Sequence, residues 1–523
     1  MVVEKNRVIQ RFRPPLEMQQ RVSLSVPLDQ RSLVELPYQP APLEEVGVSG
    51  NSFLSLADLR PLWVDLLGKP VGREEIEILI LEIERSYLES DVYARALVTA
   101  WEPAEGRLAI EIFEGYLEEI AVESELPGMS ERLAPYLDRI VQQVPLRVSR
   151  LERELLLVAD LEGFAIDALL EQVPERVGAG RLTLVITPER YRAGLHLDNF
   201  TDDDTGPFQL SAAASGYDLL GLFEESLLIG MVTPLSTRRL RMAQFSQDFP
   251  LGTHGLWFGY SLMHLRSQPG GEARELDLEV ESSVASLWLR YPFIRRIHHN
   301  LIGQLELSGQ NDRVRVAGQR VADDRKRWLG LSTSYDRVLE RGFLLGRFTF
   351  NQGLNALGAT PADDLRSGRW KGRPDFRSLQ GEVHVRHGLA DGWYFEAGSL
   401  GQLALTRLPS AARFSIGGDS IGRSFVAASL SGDGGIASTL AISHDLASDM
   451  VGLEGLSAFV FADHAWLHND MQDMDFGSAQ VAGLGIGLSW QNHLQLGLSG
   501  PAYKSSSIEN FDTRLFVRLS YEF

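Results

Sequence analysis

The sequence predicts two small α+β domains followed by a transmembrane antiparallel β-barrel of about sixteen strands. Two observations favour a barrel. From Tyr191 onward, apolar and polar residues alternate in one segment after another, and helical periodicity nearly vanishes. In addition, the sequence has no run of about 18 uncharged apolar residues, so we expect no transmembrane helix. Because only helices and closed barrels satisfy every backbone hydrogen bond in lipid, a membrane-spanning part must be a barrel.

The last strand shows the alternation most clearly. Over residues 511–523, apolar side chains occupy most odd positions and polar side chains most even positions. Side chains on a strand point alternately to its two faces, which suits a wall with lipid outside and water inside. A soluble sheet with one solvated face alternates in the same way. The terminal Tyr521 and Phe523 resemble the C-terminal sorting signal of bacterial outer-membrane proteins.

The composition excludes several classes of protein. An apolar content of 44% with 23% charged residues predicts a folded chain, and 523 residues allow several domains. The net charge of -20 argues against nucleic acid as a partner. The absence of cysteine excludes disulfides and thiolate metal sites. No apolar core of a signal peptide follows Met1, so an outer-membrane location requires an export signal that has been removed or is missing.

The part of the chain before Pro188 mixes helical and strand patterns. Ser55 is a candidate N-cap for a helix that runs to Leu66 and stops at Gly68. A second helix is predicted over residues 73–87, because its isoleucines recur at helical spacing. Strands over residues 93–99 and 107–113 complete this first module.

The same kinds of element then recur. Residues 117–122 predict a strand, and apolar residues at helical spacing over 133–144 predict a helix. Ser149 to Glu152 has the form of a capping box for one more helix. Strands over residues 164–173 and 181–187 close this second module. The predicted domains are a lead segment of residues 1–40, a first module of 41–116, a second module of 117–190 and a barrel of 191–523.

One segment of the predicted barrel carries a specific motif. Residues 414–425 read Phe-Ser-Ile-Gly-Gly-Asp-Ser-Ile-Gly-Arg-Ser-Phe. This resembles the Gly-Gly and Val-Arg-Gly-Tyr signature of a loop that folds back into the barrel of the outer-membrane transporters of two-partner secretion, of the hemolysin secretion/activation type. The first strand also looks like that of the family, with Asp198-Asn199 and then Thr205-Gly206. In that family two polypeptide-transport-associated (POTRA) domains precede the barrel.

The loop motif departs from the family pattern at two places. Gly417, Gly418, Arg423 and Phe425 match the signature, whereas Gly422 replaces an aliphatic residue and Ser424 replaces a glycine. If the tip of the loop needs a positive φ at that glycine, Ser424 adopts it at some cost, or the tip is shaped differently.

The resemblance implies a lock between the loop and the barrel wall. In the family the loop arginine pairs with an aspartate on a neighbouring strand that faces the lumen, and residues 459–463 resemble that strand. Period two puts Phe459, Phe461 and Asp463 on one face. Arg423 and Asp463 are therefore the predicted lock, because a planar guanidinium can hold a carboxylate bidentately.

The function that the resemblance implies is protein export across the bacterial outer membrane. The periplasmic POTRA domains would capture the N-terminal secretion domain of a secreted exoprotein, which would leave through the lumen without ATP. An exposed sheet edge suits such capture, because strand addition binds an unfolded chain through its backbone. The other expected partners are outer-membrane lipid and the barrel assembly machinery. No cofactor, metal site or enzymatic activity is expected, and the sequence does not identify the client.

Three other functions remain open at this stage. A barrel-assembly insertase shares the architecture, but two modules and the Asp198-Asn199 start favour secretion. A passive porin would lack the periplasmic modules. An outer-membrane hydrolase would need a nucleophile and a base, and Gly418-Asp419-Ser420 lies inside the loop signature without a paired Asp and His. The glycines at 483, 485 and 487 alternate as in a strand, so they are interpreted as thinning the lumen side or allowing the strand to bend.

Overall fold

A computed structural model of the chain describes residues 24–25, 40–141, 143–173, 176–201, 204–234, 236, 239–365, 367–369, 372–418, 422–426, 430–446, 454–469, 477–491, 493–505 and 511–523. The predicted lead segment of residues 1–40 lies outside these ranges except for Leu24–Ser25 and Pro40. The chain divides into two compact units, with the division between Glu189 and Arg190.

The first module packs a three-stranded sheet against two helices. Its strands are β2 (Ala41–Pro42), β3 (Glu45–Ser49), β4 (Pro70–Val71), β5 (Ala94–Glu102) and β6 (Arg107–Glu114), and its helices are α1 (Leu56–Leu59) and α2 (Arg73–Glu89). The sheet has the order β3-β6-β5, and β2 pairs with β4. Helix α2 buries Ile76, Ile80, Ile83 and Tyr87 against the sheet, as its helical spacing predicts.

The second module repeats this construction. Its strands are β7 (Tyr116–Ser124), β8 (Phe164–Gln172) and β9 (Ala179–Pro188), and its helices are α3 (Met129–Val141) and α4 (Val148–Ala159). A short strand β1 (Leu24–Ser25) adds to the outside of β8, so the sheet has the order β1-β8-β9-β7. This order leaves β7 at one edge and places β1, from the start of the chain, at the other.

Two local predictions in these modules are wrong. The helix after Ser55 stops at Leu59, because Pro61 cannot continue it, and two short 3₁₀ turns (Arg60–Leu62 and Val64–Leu66) follow. Ser149 does not cap α4, which begins at Val148. Instead, the backbone N–H of Ser149 donates to Asp91 Oδ1 at 2.7 Å, and its hydroxyl donates to Asp91 Oδ2. Ser149 therefore joins the two modules rather than starting a helix.

The second unit is a closed antiparallel barrel of sixteen strands, in agreement with the prediction. Its first eight strands are β10 (Tyr191–Asp198), β11 (Gln209–Tyr217), β12 (Glu225–Val232), β13 (Leu240–Leu251), β14 (Leu256–Ser267), β15 (Glu279–Arg295), β16 (His299–Val316) and β17 (Gln319–Leu339). The other eight are β18 (Gly342–Gly353), β19 (Arg377–Ala390), β20 (Trp393–Ala404), β23 (Gly434–Asp445), β24 (Leu456–His468), β25 (Ser478–Trp490), β26 (Leu494–Lys504) and β27 (Arg514–Glu522).

The strands β21 (Phe414–Ile416) and β22 (Leu430–Gly432) do not belong to the barrel wall and form a separate hairpin. A short helix α5 (Gly271–Glu275) precedes β15. The connections after β10, β18 and β20 all leave the same end of the barrel, because neighbouring strands are antiparallel. We call this the loop end.

The alternation of side chains separates an apolar exterior from an interior that contains both polar and apolar residues. The inward face carries buried polar residues such as Gln244, Ser286, Asp312 and Lys326, and Lys326 Nζ donates to Asp312 Oδ2 at 2.7 Å. The outward face exposes aliphatic side chains, among them Leu440, Val460, Leu484, Ile486, Leu498, Leu515 and Leu519. A barrel with this distribution suits lipid outside and water inside.

The last strand follows the predicted alternation with one exception. Leu515, Leu519, Tyr521 and Phe523 are exposed on the outer face. Phe511 is not part of the strand, which begins at Arg514, and its ring is buried. Among the described residues, no helix is both long enough and apolar enough to cross a membrane.

Candidate loop-locking site in the barrel

The site is built around a long connection between β20 and β23. Within it, β21 pairs with β22 in antiparallel register from Phe414↔Gly432 to Ile416↔Leu430. The tip beyond this hairpin contains the described residues 417–418 and 422–426, whereas residues 419–421 of the sequence signature lie outside the described part. We call residues 405–433 the inserted loop, because its tip packs against the inward face of β24 and β25.

The glycines of the tip take the conformations that only glycine adopts easily. Gly417, Gly418 and Gly422 have φ of 97°, 118° and 91°. A Cβ on Gly422 would also lie 2.6 Å from the Phe425 ring. Ser424 is not among the described residues with a positive φ. Of the two alternatives that the sequence left open, the tip is therefore shaped differently, with Gly422 taking the left-handed position.

The tip contacts the barrel wall at Asp463. The backbone N–H of Ser424 donates a hydrogen bond of 2.8 Å to Asp463 Oδ2, and Asp463 is 1% exposed. The second oxygen, Oδ1, is buried, and no hydrogen bond from the described residues reaches it. At Asp463, the described hydrogen bond between the tip and the wall is therefore one from a backbone N–H to a buried carboxylate. A direct Arg423–Asp463 pair stays a prediction.

The guanidinium of Arg423 lies over two aromatic rings of β24. Its Cζ is 4.6 Å from the centroid of the Phe461 ring and 5.3 Å from that of Phe459. Both distances lie within the range of a cation–π interaction, and Arg423 is buried, which strengthens such an interaction. Phe459, Phe461 and Asp463 all lie on the inward face of β24, so the three residues that the sequence pattern groups together face the inserted loop.

Glycines of β25 and β26 make room for these contacts. A Cβ on Gly483 would overlap the side chain of Ser424, and a Cβ on Gly485, Gly487 or Gly497 would overlap the ring of Phe461, Phe459 or Phe516, respectively. Gly483 is also the register partner of Asp463. The sequence showed these glycines as an alternating run but gave no sign of which side chains fill the space.

Phe425 anchors the tip on its other side. Its ring is buried beside Phe511, with centroids 5.1 Å apart. The same cluster contains Phe414, Ile416 and Leu467. This packing explains why Phe511 is not on the lipid face, since it belongs to the support of the inserted loop.

The first and last strands close the barrel with side chains as well as backbone. β10 pairs with β27 from Gly194↔Glu522 to Asp198↔Arg518. Beyond the last pair, Asn199 Nδ2 donates to the carbonyl of Leu515 at 2.9 Å, and the Val517 N–H donates to Asn199 Oδ1 at 2.8 Å. The Asp198-Asn199 motif thus lies at this seam.

The C-terminal aromatic residues lie on the face of the barrel that meets lipid. Tyr521 and Phe523 are exposed on the outer face, and their ring centroids are 4.8 Å apart. Their role as a sorting signal stays a prediction.

This combination of two α+β modules, a closed barrel with polar residues on its inner face and a loop fastened inside it defines an outer-membrane β-barrel transporter. The sequence model of the haemolysin secretion/activation protein ShlB/FhaC/HecB family matches residues 182–490, and that of the ShlB-type POTRA domain matches residues 41–115. The chain belongs to this family. Accordingly, its barrel lies in the outer membrane and its POTRA domains lie in the periplasm.

Solved structures have the same fold. CdiB from Escherichia coli is 18% identical, with a TM-score of 0.74 over 100% of this chain and 96% of that chain. CdiB from Acinetobacter baumannii is 17% identical, with a TM-score of 0.65 over 99% and 98% of the two chains. BamA from Haemophilus ducreyi lacking POTRA domains 1–3 is more distant, at 13% identity and a TM-score of 0.56 over 92% and 100%. No curated protein matches the sequence.

Proposed function

We propose that this chain exports an unfolded exoprotein through its barrel. The observation that carries the proposal is the inserted loop, whose tip is held inside the barrel by the contacts of Ser424 and Arg423 with β24. A loop in this place occupies space that a polypeptide needs, so the loop must shift during transport. Arg423 and Asp463 are the residues that we expect to hold it at rest.

The polar part of the inner face suits the passage of an extended chain. Buried polar groups line it, and several of them bond to one another, as Ser282 and Gln310 do with Asp312. An unfolded polypeptide carries polar backbone groups along its whole length, and such a wall exchanges hydrogen bonds with it without demanding one sequence. The lumen therefore supports transport of varied segments of one long client.

Capture of the client in the periplasm is expected at a sheet edge. Strand addition binds a chain mainly through backbone hydrogen bonds. In the second module, β1 already pairs with β8 in parallel, with Leu24 opposite Ala168 and Ser25 opposite Leu169. This two-residue pairing supports β8 as an edge that accepts an added strand. The proposed partner is the N-terminal secretion domain of the exoprotein, and we propose no enzymatic activity for the chain.

The test is a comparison of exported proteins. The gene is deleted in its host and complemented with wild type or with Arg423→Ala, and the proteins of the culture medium are identified by mass spectrometry. We expect one large exoprotein to disappear on deletion, to return with wild type and to be strongly reduced with Arg423→Ala.

Two controls make this result specific. Arg373→Ala removes an arginine from an exposed ion pair with Asp375 and should restore export fully. A heat-dependent gel shift of each variant shows that its barrel is assembled. If the medium of the deletion strain contains the same proteins as that of the wild type, the proposed function is rejected. If outer-membrane proteins are lost instead, the chain is an assembly insertase.

A further inference from the structure

A second long connection reaches the base of the inserted loop. This connection, residues 354–376, joins β18 to β19 at the loop end of the barrel. Its backbone follows β17, since the N–H of Thr360 donates to the carbonyl of Arg325 at 2.8 Å. The N–H of Gly368 donates to Asp324 Oδ2 at 2.9 Å. These contacts bring the next residue, Arg369, to a fixed position beside the inserted loop.

Arg369 binds both arms of the inserted loop. On the arm that returns from the tip to β23, its Nη1 and Nη2 donate to Oδ1 and Oδ2 of Asp433, the second contact at 2.8 Å. On the arm that leaves β20 and enters the barrel, Nη1 donates to the carbonyl of Leu408 at 2.9 Å. Leu408 and Asp433 are about 25 residues apart along the chain, 433 − 408. The guanidinium therefore joins the two arms at the base of the loop, and we call this contact the clasp.

Water has little access to this clasp. Arg369 is 8% exposed, and Asp433 and Leu408 are completely buried. The backbone of Asp433 is fixed as well, because its N–H donates to the carbonyl of His468 at 2.9 Å and its carbonyl accepts from Gln402 Nε2 at 3.0 Å. A bidentate pair in such surroundings is strong, and removing one partner leaves a buried charge without its counter-charge.

We infer that Arg369 and Asp433 form a second anchor of the inserted loop and are positioning residues for channel closure. The tip anchor at Asp463 and this base anchor act at different points of the same loop. With the base held, release of the tip lets the loop swing about residues 408 and 433. Without the base anchor, the tip is no longer directed at β24, and the channel opens spontaneously.

The experiment measures ion conductance of the purified full chain in planar lipid bilayers, without any client. The variants are Arg369→Ala, Asp433→Asn and the exchanged pair Arg369→Asp/Asp433→Arg. Arg373→Ala is the matched control, because it lies four residues further along the same connection in an ion pair whose side chains are half exposed.

We expect each single variant to raise the ratio of open to closed time by about tenfold or more, which corresponds to about 1.4 kcal/mol. The double variant Arg369→Ala/Asp433→Asn should exceed neither single variant by much, because both remove one shared contact. The exchanged pair should recover part of the closed time. Arg373→Ala should behave as wild type.

A single variant that fails to assemble, as judged by its heat-dependent gel shift, is replaced by Arg369→Lys. Lysine keeps the charge but cannot hold the carboxylate bidentately, so we expect an intermediate open time. Wild-type conductance in assembled Arg369→Ala and Asp433→Asn, or an equal rise in Arg373→Ala, overturns the inference. Because no client is present, this failure leaves the export proposal standing, whereas an unchanged set of exported proteins leaves the base anchor standing.

Discussion

The backbone N–H of Ser424 and the carboxylate of Asp463 are joined by a hydrogen bond of 2.8 Å inside the barrel. A backbone donor does not depend on the side chain that carries it. The tip therefore keeps its attachment to the wall although Ser424 stands where the family signature has glycine. The acceptor, in contrast, is the side chain of Asp463, so the attachment depends on that residue.

Asp463→Ala should release the tip of the inserted loop. The substitution leaves the Ser424 N–H buried without its acceptor, at a cost of about 1–3 kcal/mol. The chain has no cysteine, so Ser424→Cys provides a single labelling site at the tip. In that background, a membrane-impermeant maleimide should label the Asp463→Ala variant at least about fivefold faster. The control is Asp445→Ala, an exposed residue at the end of β23. Equal labelling rates in the two variants would show that the hydrogen bond does not hold the tip.

Gly483→Ala should displace the tip by crowding. An added Cβ overlaps the side chain of Ser424, so the inserted loop cannot keep its position. We expect more open channel in bilayer recordings, and we expect Ser424→Gly to restore closure in the double variant. Gly381→Ala serves as the control, because a Cβ there meets open space. Failure of Ser424→Gly to rescue the closed state would mean that Gly483 acts through something other than this contact.

Asn199→Ala should weaken the seam between the first and last strands. It removes two hydrogen bonds to β27, each worth about 0.5–1.5 kcal/mol. The barrel should then unfold at a lower temperature in a heat-dependent gel shift. Asn199→Asp keeps the acceptor for the Val517 N–H and loses only the donor, so it should fall between alanine and wild type. An unchanged transition temperature in Asn199→Ala argues that the backbone ladder alone closes the barrel.

The hydroxyl of Tyr87 in the first POTRA domain should lose its proton at a higher pH than that of an exposed tyrosine. Burial raises the pKa of its hydroxyl to about 12, and the charge of Glu114 adds to the effect. Because the pKa in the folded state lies above its unfolded value of about 10, the protonated hydroxyl contributes to the stability of the folded domain. This contribution is complete below pH 10 and is lost as the pH rises toward 12. The difference in phenolate absorbance between wild type and Tyr87→Phe should have its midpoint near pH 12. A midpoint near 10 would contradict the buried environment.

Local periodicity was sufficient to predict the architecture. Helix α2 and the alternating strands follow directly from the spacing of their apolar residues, because each of those patterns lies within a single element. The capping box predicted from Ser149 to Glu152 is wrong, because the Ser149 hydroxyl binds Asp91 rather than its own helix end. A local motif does not reveal that a distant side chain competes for it.

The candidate site was only partly predictable for the same reason. Arg423 and Asp463 were found through a resemblance, and period two places Phe459 and Phe461 on the correct face. Neither the fit of Ser424 on Gly483 nor the clasp of Arg369 on Asp433 follows from any local pattern. Both contacts join residues about 60 positions apart, 483 − 424 and 433 − 369, that only the tertiary fold of the barrel brings together.

Because the strands differ in length, they extend to different heights at the loop end of the barrel. β17 has 21 residues and β27 has 9. Toward the loop end, the pairing of β17 with β18 stops at Trp328. The nine residues 319–327, by 328 − 319, extend beyond the end of β18. At about 3.3 Å per residue, the β16–β17 hairpin rises roughly 30 Å higher along the strand. In the proposed export, a chain that leaves at this end would pass the charged residues of this hairpin on one side of the barrel only.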